Sequence, residues 1–232
     1  MATPTDAHGD APLTSKQLLM LTQWLSPAFP VGAFAYSHGL EWAVQSGDVM
    51  DRASMGDWLM ALLENGSARN DALFLIHAYR ADSPEELGQV AELAAAFVCG
   101  AERYAETMEM GAALAKMLGE LSGGGLQAGD RLQAMAYPVV LGVAARGRDI
   151  PVNMCVSMYL HAFSANLVSA SQRLVPLGQV EGQKILLDTH KVIELLVPKL
   201  LNATLEELGG CAFRSDMAAM LHETQKVRLF RT

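Results

Sequence analysis

Residues 150–172 read IPVNMCVSMYLHAFSANLVSASQ, a run without one Asp, Glu, Lys or Arg. Such a run is long enough to cross a bilayer. It also carries Asn153, Ser157, His161, Ser164, Asn166, Ser169, Ser171 and Gln172, polar groups that lipid would leave without partners. Both facts fit a central helix packed on all sides by other helices, in a chain that does not enter a membrane.

The helical pattern continues on both sides of it. Pro151 starts the central helix, and Pro176 and Gly178 separate it from a helix through Ile185, Ile193, Leu196 and Val197, with Pro198 near its end. Upstream, residues 132–145 have helical spacing around Pro138, which should kink or interrupt them. Gly123-Gly124-Gly125 reads as a flexible link rather than a domain boundary. Ser83-Pro84-Glu85-Glu86 is a start signal: a serine cap, proline in the first turn, and glutamate three residues after the cap. The helix it opens is read on past Gly100 to Leu118.

Nearer the start, Leu18, Leu21 and Leu25 follow a cap at Thr14 or Ser15. Residues 27–32 form a turn-rich loop, 34–45 a helix closed by Gly47, 53–64 a helix with Trp58, Leu59, Leu62 and Leu63 inward, and 71–80 another. No alternating β-branched run bounded by turns is present. The reading is an all-α, single-domain bundle of roughly eight to ten helices. Residues 1–13 form a disordered leader, 14–210 the helical domain, and 211–232 a C-terminal tail suited to docking on a partner.

Composition narrows the function classes. The chain is 51% hydrophobic and 18% charged, against about 25% charged for an average soluble domain. Apolar surface is therefore left over, and partner proteins are its usual cover. Seventeen basic against twenty-five acidic side chains give a net charge of -8, which repels a phosphate backbone and argues against nucleic acid as a partner. Cys99, Cys155 and Cys211 are odd in number and far apart, with no CxxC pair. That argues against a zinc site and a disulfide framework and for a reducing cytoplasm. The first residues have no basic region followed by an apolar run, so no signal peptide is visible.

Catalytic patterns mostly fail. There is no GxxxxGKS or GxxxxGKT phosphate loop. His222-Glu223-Thr224-Gln225-Lys226 begins like a zincin HExxH, but Lys226 stands where the second histidine is needed. The six histidines include no pair three or four residues apart; His77 and His161 read as hydrogen-bonded interior residues, and His8 in the leader binds metal only weakly by itself. Ala35-Tyr36-Ser37-His38-Gly39 falls one residue short of the GxSxG elbow, with Asp188 and His190 or His222 following in hydrolase order. The elbow needs a preceding strand, and Pro27-Ala28-Phe29-Pro30 cannot pair centrally in a sheet. A serine hydrolase using Ser37 is thus a remote alternative.

Two polar-aromatic segments remain, residues 26–41 and 215–232. In the second, Leu229-Phe230 lies between Arg228 and Arg231, an apolar anchor flanked by guanidinium groups suited to carboxylates.

These segments carry a family resemblance. SPAFPVGAFAYSHGLEWAV (26–44) resembles the N-terminal signature of the UreF family of urease accessory proteins. Ala136-Tyr137-Pro138 through Ala145-Arg146-Gly147, with Ile150-Pro151, resembles its middle. Asn166 to Ala170 and Arg173 to Gln179 resemble the next block. Ser215-Asp216, His222-Glu223-Thr224-Gln225 and Arg228-Leu229-Phe230-Arg231 resemble its C-terminus. The blocks stand in family order, with departures at Ala33, Ala35 and Lys226.

The resemblance implies an all-helical, cytoplasmic, non-catalytic protein that dimerises and binds the accessory protein UreD (UreH). That pair recruits the GTPase UreG, which carries the nucleotide and nickel chemistry, and the complex acts on apo-urease. No cofactor is then held permanently, and nickel is handled by the complex. On this reading Pro30, Gly32, Tyr36, Ser37, His38, Gly39 and Glu41 either pack internally or face a partner. Arg173, Gln179 and Gln183 lie at a dimer or UreG-facing surface. Arg214, Ser215, Asp216, His222, Glu223, Thr224, Gln225, Arg228, Leu229, Phe230 and Arg231 dock on UreD, with Phe230 as the anchor. The tail should then be removable after Ala212 without loss of the fold. A second role, a metallochaperone that binds nickel directly, needs His38, His222 and Cys211 to converge.

Overall fold

The structure, a computed structural model, describes residues 12–121 and 129–232. Most of the leader and the Gly123-Gly124-Gly125 link lie outside the described residues. Among the described residues the elements are α1 (Ser15–Trp24), α2 (Leu40–Gln45), α3 (Arg52–Asn65), α4 (Ser67–Arg80), α5 (Pro84–Ala96), α6 (Ala101–Leu121), α7 (Gly129–Leu132), α8 (Tyr137–Arg146), α9 (Val152–Leu174), α10 (Gln179–Asn202) and α11 (Phe213–His222). Short 3-10 turns occupy Ala33–Ala35 and Leu205–Glu207. Nine of the α-helices have ten residues or more, so the all-α bundle is as expected.

Local signals set most of the boundaries. Thr14 and Gln17 form a reciprocal capping box at the start of α1. Ser83 accepts from the Glu86 amide at 3.1 Å with Pro84 in the first turn of α5. Pro138 stands in the first turn of α8, so the expected helix is interrupted before it and not kinked, because its missing N–H falls where a helix has unpaired donors anyway.

Two boundaries differ from the sequence reading, each because of a distant partner or a left-handed residue. The helix expected to run past Gly100 breaks there: Phe97 ends α5, Gly100 turns at φ +89°, and α6 starts afresh. Glu223 caps that new start from across the molecule, its Oε1 accepting the amides of Ala101 at 2.6 Å and Glu102 at 3.3 Å. The helix expected over 34–45 splits as well. His38 and Gly39 sit at φ +53° and +74°, so only Leu40–Gln45 is α-helical.

Helix α9 is central, packing against α10, α4, α2, α3 and α8. Cys155, Val156, Leu160 and Leu167 are fully buried on it. Its polar residues fall into two groups. Ser164 and Ser171 are buried and donate back to the carbonyls of Leu160 and Val168 at 2.8 and 2.7 Å. Asn153, Ser157 and His161 lie on a partly open strip, so α9 is not covered on every side as expected. Helices α4 and α8 meet so closely that a Cβ at Gly142 would lie 2.4 Å from the Leu75 carbonyl oxygen. Among the described residues no helix is long and apolar enough to cross a membrane.

Candidate functional site

The loop at residues 26–41 and the C-terminal segment, which follows directly on α11, fold onto one another. Asn166 on α9 holds the loop, donating its amide to the carbonyls of Ala33 at 3.0 Å and Tyr36 at 3.3 Å. Gly32 turns at φ +79°. Gly39 does more: α11 lies directly on it, and a Cβ there would stand 2.5 Å from the Ala219 nitrogen.

Residues 223–232 then run back across the loop as a strap. The Ser37 amide donates to the Thr232 carbonyl at 2.8 Å, and the Arg231 amide donates to the Ala35 carbonyl at 2.8 Å. The Ser37 hydroxyl also donates to the Thr232 carbonyl. Glu41, though buried, is fully used: it accepts the amides of Leu229 at 2.7 Å and Phe230 at 2.9 Å and meets His222 Nε2 at 3.3 Å. His222 has no exposed side-chain surface and spans two carboxylates, its Nδ1 lying 2.7 Å from Glu102, which Arg228 also grips.

The Phe230 ring is 4% exposed, with the Arg173 guanidinium 5.2 Å from its centroid. Arg231 pairs with Glu109 at 2.8 Å and lies over the Tyr36 ring. Burial, and then the neighbouring Glu109 that accepts its hydroxyl proton, push Tyr36 up to about 12.

Beneath the strap is a second charged layer. Glu106 accepts from Arg103 at 2.5 Å, from His38 Nε2 at 2.9 Å and from the Thr232 hydroxyl at 2.9 Å. Burial alone would raise Glu106; the Arg103 guanidinium and then His38 overcome it and hold the carboxyl at about 2. Burial, and then Arg103, push His38 down, which makes it a neutral donor to Glu106 and leaves its Nδ1 without a partner. Asp71 accepts from the Tyr159 hydroxyl at 2.9 Å, and burial raises it to about 6. His38, Asp71 and Arg103 line two cavities, of about 70 and 100 Å³, that adjoin at these three residues.

The residues singled out from sequence therefore come together, but many face inward. Tyr36, Ser37, His38, Gly39, Glu41, Ser215, His222 and Phe230 are buried. Phe230, expected as an anchor offered to a partner, fills the chain's own core, because Glu41 pins the backbone that carries it. The segment expected to be a separable tail is part of the body: removing residues after Ala212 would strip Ala218, His222 and Phe230 from buried positions. Pro30, Glu223, Thr224, Arg228, Leu229 and Arg231 are exposed, Asp216 and Gln225 half-buried. Arg214 reaches Asp48 at 3.6 Å. Arg173 joins the network through Phe230, whereas Gln179 and Gln183 stand outside it at the exposed start of α10, Gln179 paired with Gln172.

Sequence reasoning read the stretch of α6 as helix but did not single out its charged residues. Glu102, Arg103, Glu106 and Glu109 stand at helical spacing and resemble a solvated face. The signal available was their alignment on one side of the first turns of a helix, where Arg103 alone is basic.

The remote constellations do not assemble. Ser37 is fully buried with its hydroxyl engaged, Asp188 pairs with Arg52 at 3.0 Å, and His190 meets His161. Cys211 is exposed and bonded to Asp216, while His38 and His222 are held in separate carboxylate pairs. Among the described residues no group of three or more His, Cys, Asp or Glu is placed to hold a metal ion.

What remains available is apolar surface beside the strap. Phe213, Met217, Met220 and Leu221 form one exposed face of α11, continued by Val227 and Leu229, which are 83% and 71% exposed.

A family model described as UreF matches residues 49–190, more than half of the chain. The chain belongs to the UreF family. A protein described as urease accessory protein UreF from Cereibacter sphaeroides is 49% identical over 218 residues, covering 94% of this chain and all of the relative. One so described from Ruegeria pomeroyi is 45% identical over 232 residues, covering both chains completely. A third, from Bradyrhizobium sp., is 44% identical over 220 residues, covering 93% of this chain and 92% of the relative. The family-model match lies outside both loop and strap, whereas the Ruegeria relative extends through both.

Proposed function

We propose that this chain is a cytoplasmic, non-catalytic scaffold for urease maturation. It binds UreD (UreH) through the outer face of α11 and the strap, recruits or gates the GTPase UreG, and so serves GTP-dependent nickel insertion into apo-urease. The observation that carries the reading is the exposed apolar set Phe213, Met217, Met220, Leu221, Val227 and Leu229, displayed on a segment that buried charges fix in place. An apolar helix face beside exposed Arg228 and Arg231 fits a partner with a hydrophobic groove and an acidic rim. Exposed Val180, Leu187 and Leu195 along α10 supply a second seam, suited to pairing two copies of the chain. Nickel passes through the assembled complex, with no cofactor held permanently by this subunit.

Truncation is a poor test because it removes core residues. Met217→Asp combined with Leu229→Asp changes exposed side chains alone. Co-expressed with UreD and UreG, the wild-type chain should form a stable complex in size-exclusion chromatography with light scattering. The double variant should remain folded and lose that complex. A complex of unchanged mass and stability with the double variant refutes this docking surface.

A further inference from the structure

Helices α9 and α10 pack together along their length. On the open strip of α9 they bring together two histidines that stand 29 positions apart in sequence. His161 Nδ1 and His190 Nε2 are 3.2 Å apart, with ring centroids 5.1 Å apart and planes inclined at 54°. His190 is exposed and His161 half-buried, so solvent reaches the space between the rings.

That separation has a chemical meaning. Two imidazole nitrogens bound to one ion at about 2.0–2.1 Å stand roughly 2.9–3.4 Å apart, for angles between square and tetrahedral. The observed 3.2 Å falls within this range before any ion is present. The rings are also well supported. His161 projects from a helix of 23 residues and His190 from one of 24. Fully buried Leu160 and Ser164 flank the first, and fully buried Thr189 the second. Such anchoring lowers the cost of assembling a binding geometry.

We propose that His161 and His190 form a two-imidazole site for a divalent late transition-metal ion, with water in its remaining positions. Imidazole suits Zn²⁺, Ni²⁺ and Cu²⁺, with Cu²⁺ the tightest. On binding, the hydrogen bond between the rings is replaced by two dative bonds. Each ring then carries its proton on the nitrogen that faces away from the ion, Nε2 of His161 and Nδ1 of His190. The site lies apart from the loop and strap and does not rest on the urease reading.

Calorimetric titration of the untagged full-length chain with Ni²⁺, Zn²⁺ or Cu²⁺ alone tests it. The wild type should bind one ion per chain. His161→Asn and His190→Asn should each weaken that binding by at least about tenfold, while His8→Asn leaves it unchanged. Because His190 is exposed, His190→Asn should keep its helical circular dichroism, so its loss of binding reports the site and not the fold. Saturating Zn²⁺ should raise the Tm of the wild type and not that of His190→Asn. A wild type that binds no ion, or binding that survives His190→Asn or disappears with His8→Asn, overturns the proposal.

Discussion

The contact between α4 and α8 and the contact between the loop and α11 are both close backbone approaches, and they are stabilised by opposite means. At the first, Gly142 lies against the Leu75 carbonyl amid Leu75, Ile76, Val139, Val140 and Leu141, all fully buried and uncharged. At the second, Gly39 lies against Ala219 amid Glu41, Glu102, Arg103, Glu106 and His222. Apolar packing is additive and largely indifferent to pH. A buried charge network depends on every member, because removing one leaves its partner desolvated and unpaired. The molecule thus joins an unconditional core to a conditional module.

The sharpest way to break this distinction is Glu106→Gln. It leaves Arg103 buried with its closest partner neutralised and should cost about 3–5 kcal/mol by denaturant titration. Hydrogen exchange should rise mainly in residues 36–41 and 228–232, with α4 and α8 still protected. A uniform rise across all helices would show that the two regions are one cooperative unit.

Acid should make the same cut without a mutation. Glu106 is held at about 2 in the fold against its ordinary value of 4.5. Its contribution is therefore present above pH 4.5 and lost as pH falls from there towards 2, by up to about 3 kcal/mol. Asp71 has the opposite sign: raised from 3.8 to about 6, it favours the fold at low pH and loses that contribution as pH rises through 6. Stability of the wild type measured from pH 2 to 5 should fall more steeply on the acid side than that of Glu106→Gln. Parallel profiles would remove Glu106 from the account.

Gly142→Ala tests the other side of the comparison. Its Cβ would press on a backbone carbonyl, so α4 and α8 must part, at a cost of about 1–3 kcal/mol that is independent of pH between 2 and 5. The smallest expected effect is that of Met217→Asp with Leu229→Asp, within about 0.5 kcal/mol of wild type in thermal unfolding because both residues are exposed. A large loss there would mean that α11's outer face packs on the body and is not free for a partner.

These regions were not equally legible in the sequence. The core was, because its signals are local: Ser83-Pro84 caps α5, Pro151 precedes α9, and the uncharged run announces a buried helix. The module was legible only in outline. Both of its segments stood out by composition, yet which side chains point outward did not follow from it. Ser37, Glu41 and Phe230 look like binding residues and are interior, while Met217, which the sequence did not single out, is exposed. Arg103 and Glu106 read as surface charges because burial makes sense only once each has the other, His38 and Thr232 within reach. The break before α6 was hidden for the same reason, since its cap is Glu223.

The Glu223 cap and the strap also set an order in time. The contacts that complete the module join residues 120 to 195 positions apart, from Glu102 with His222 to Ser37 with Thr232. During synthesis α6 leaves the ribosome with its first amides uncapped, and Glu41 and Glu106 wait for partners made more than a hundred residues later. Closing such long loops is slow compared with forming helix pairs. A nascent chain of this protein therefore passes through a stage in which its apolar core is assembled while its charged seam stands open, which makes that seam the surface a folding helper would meet.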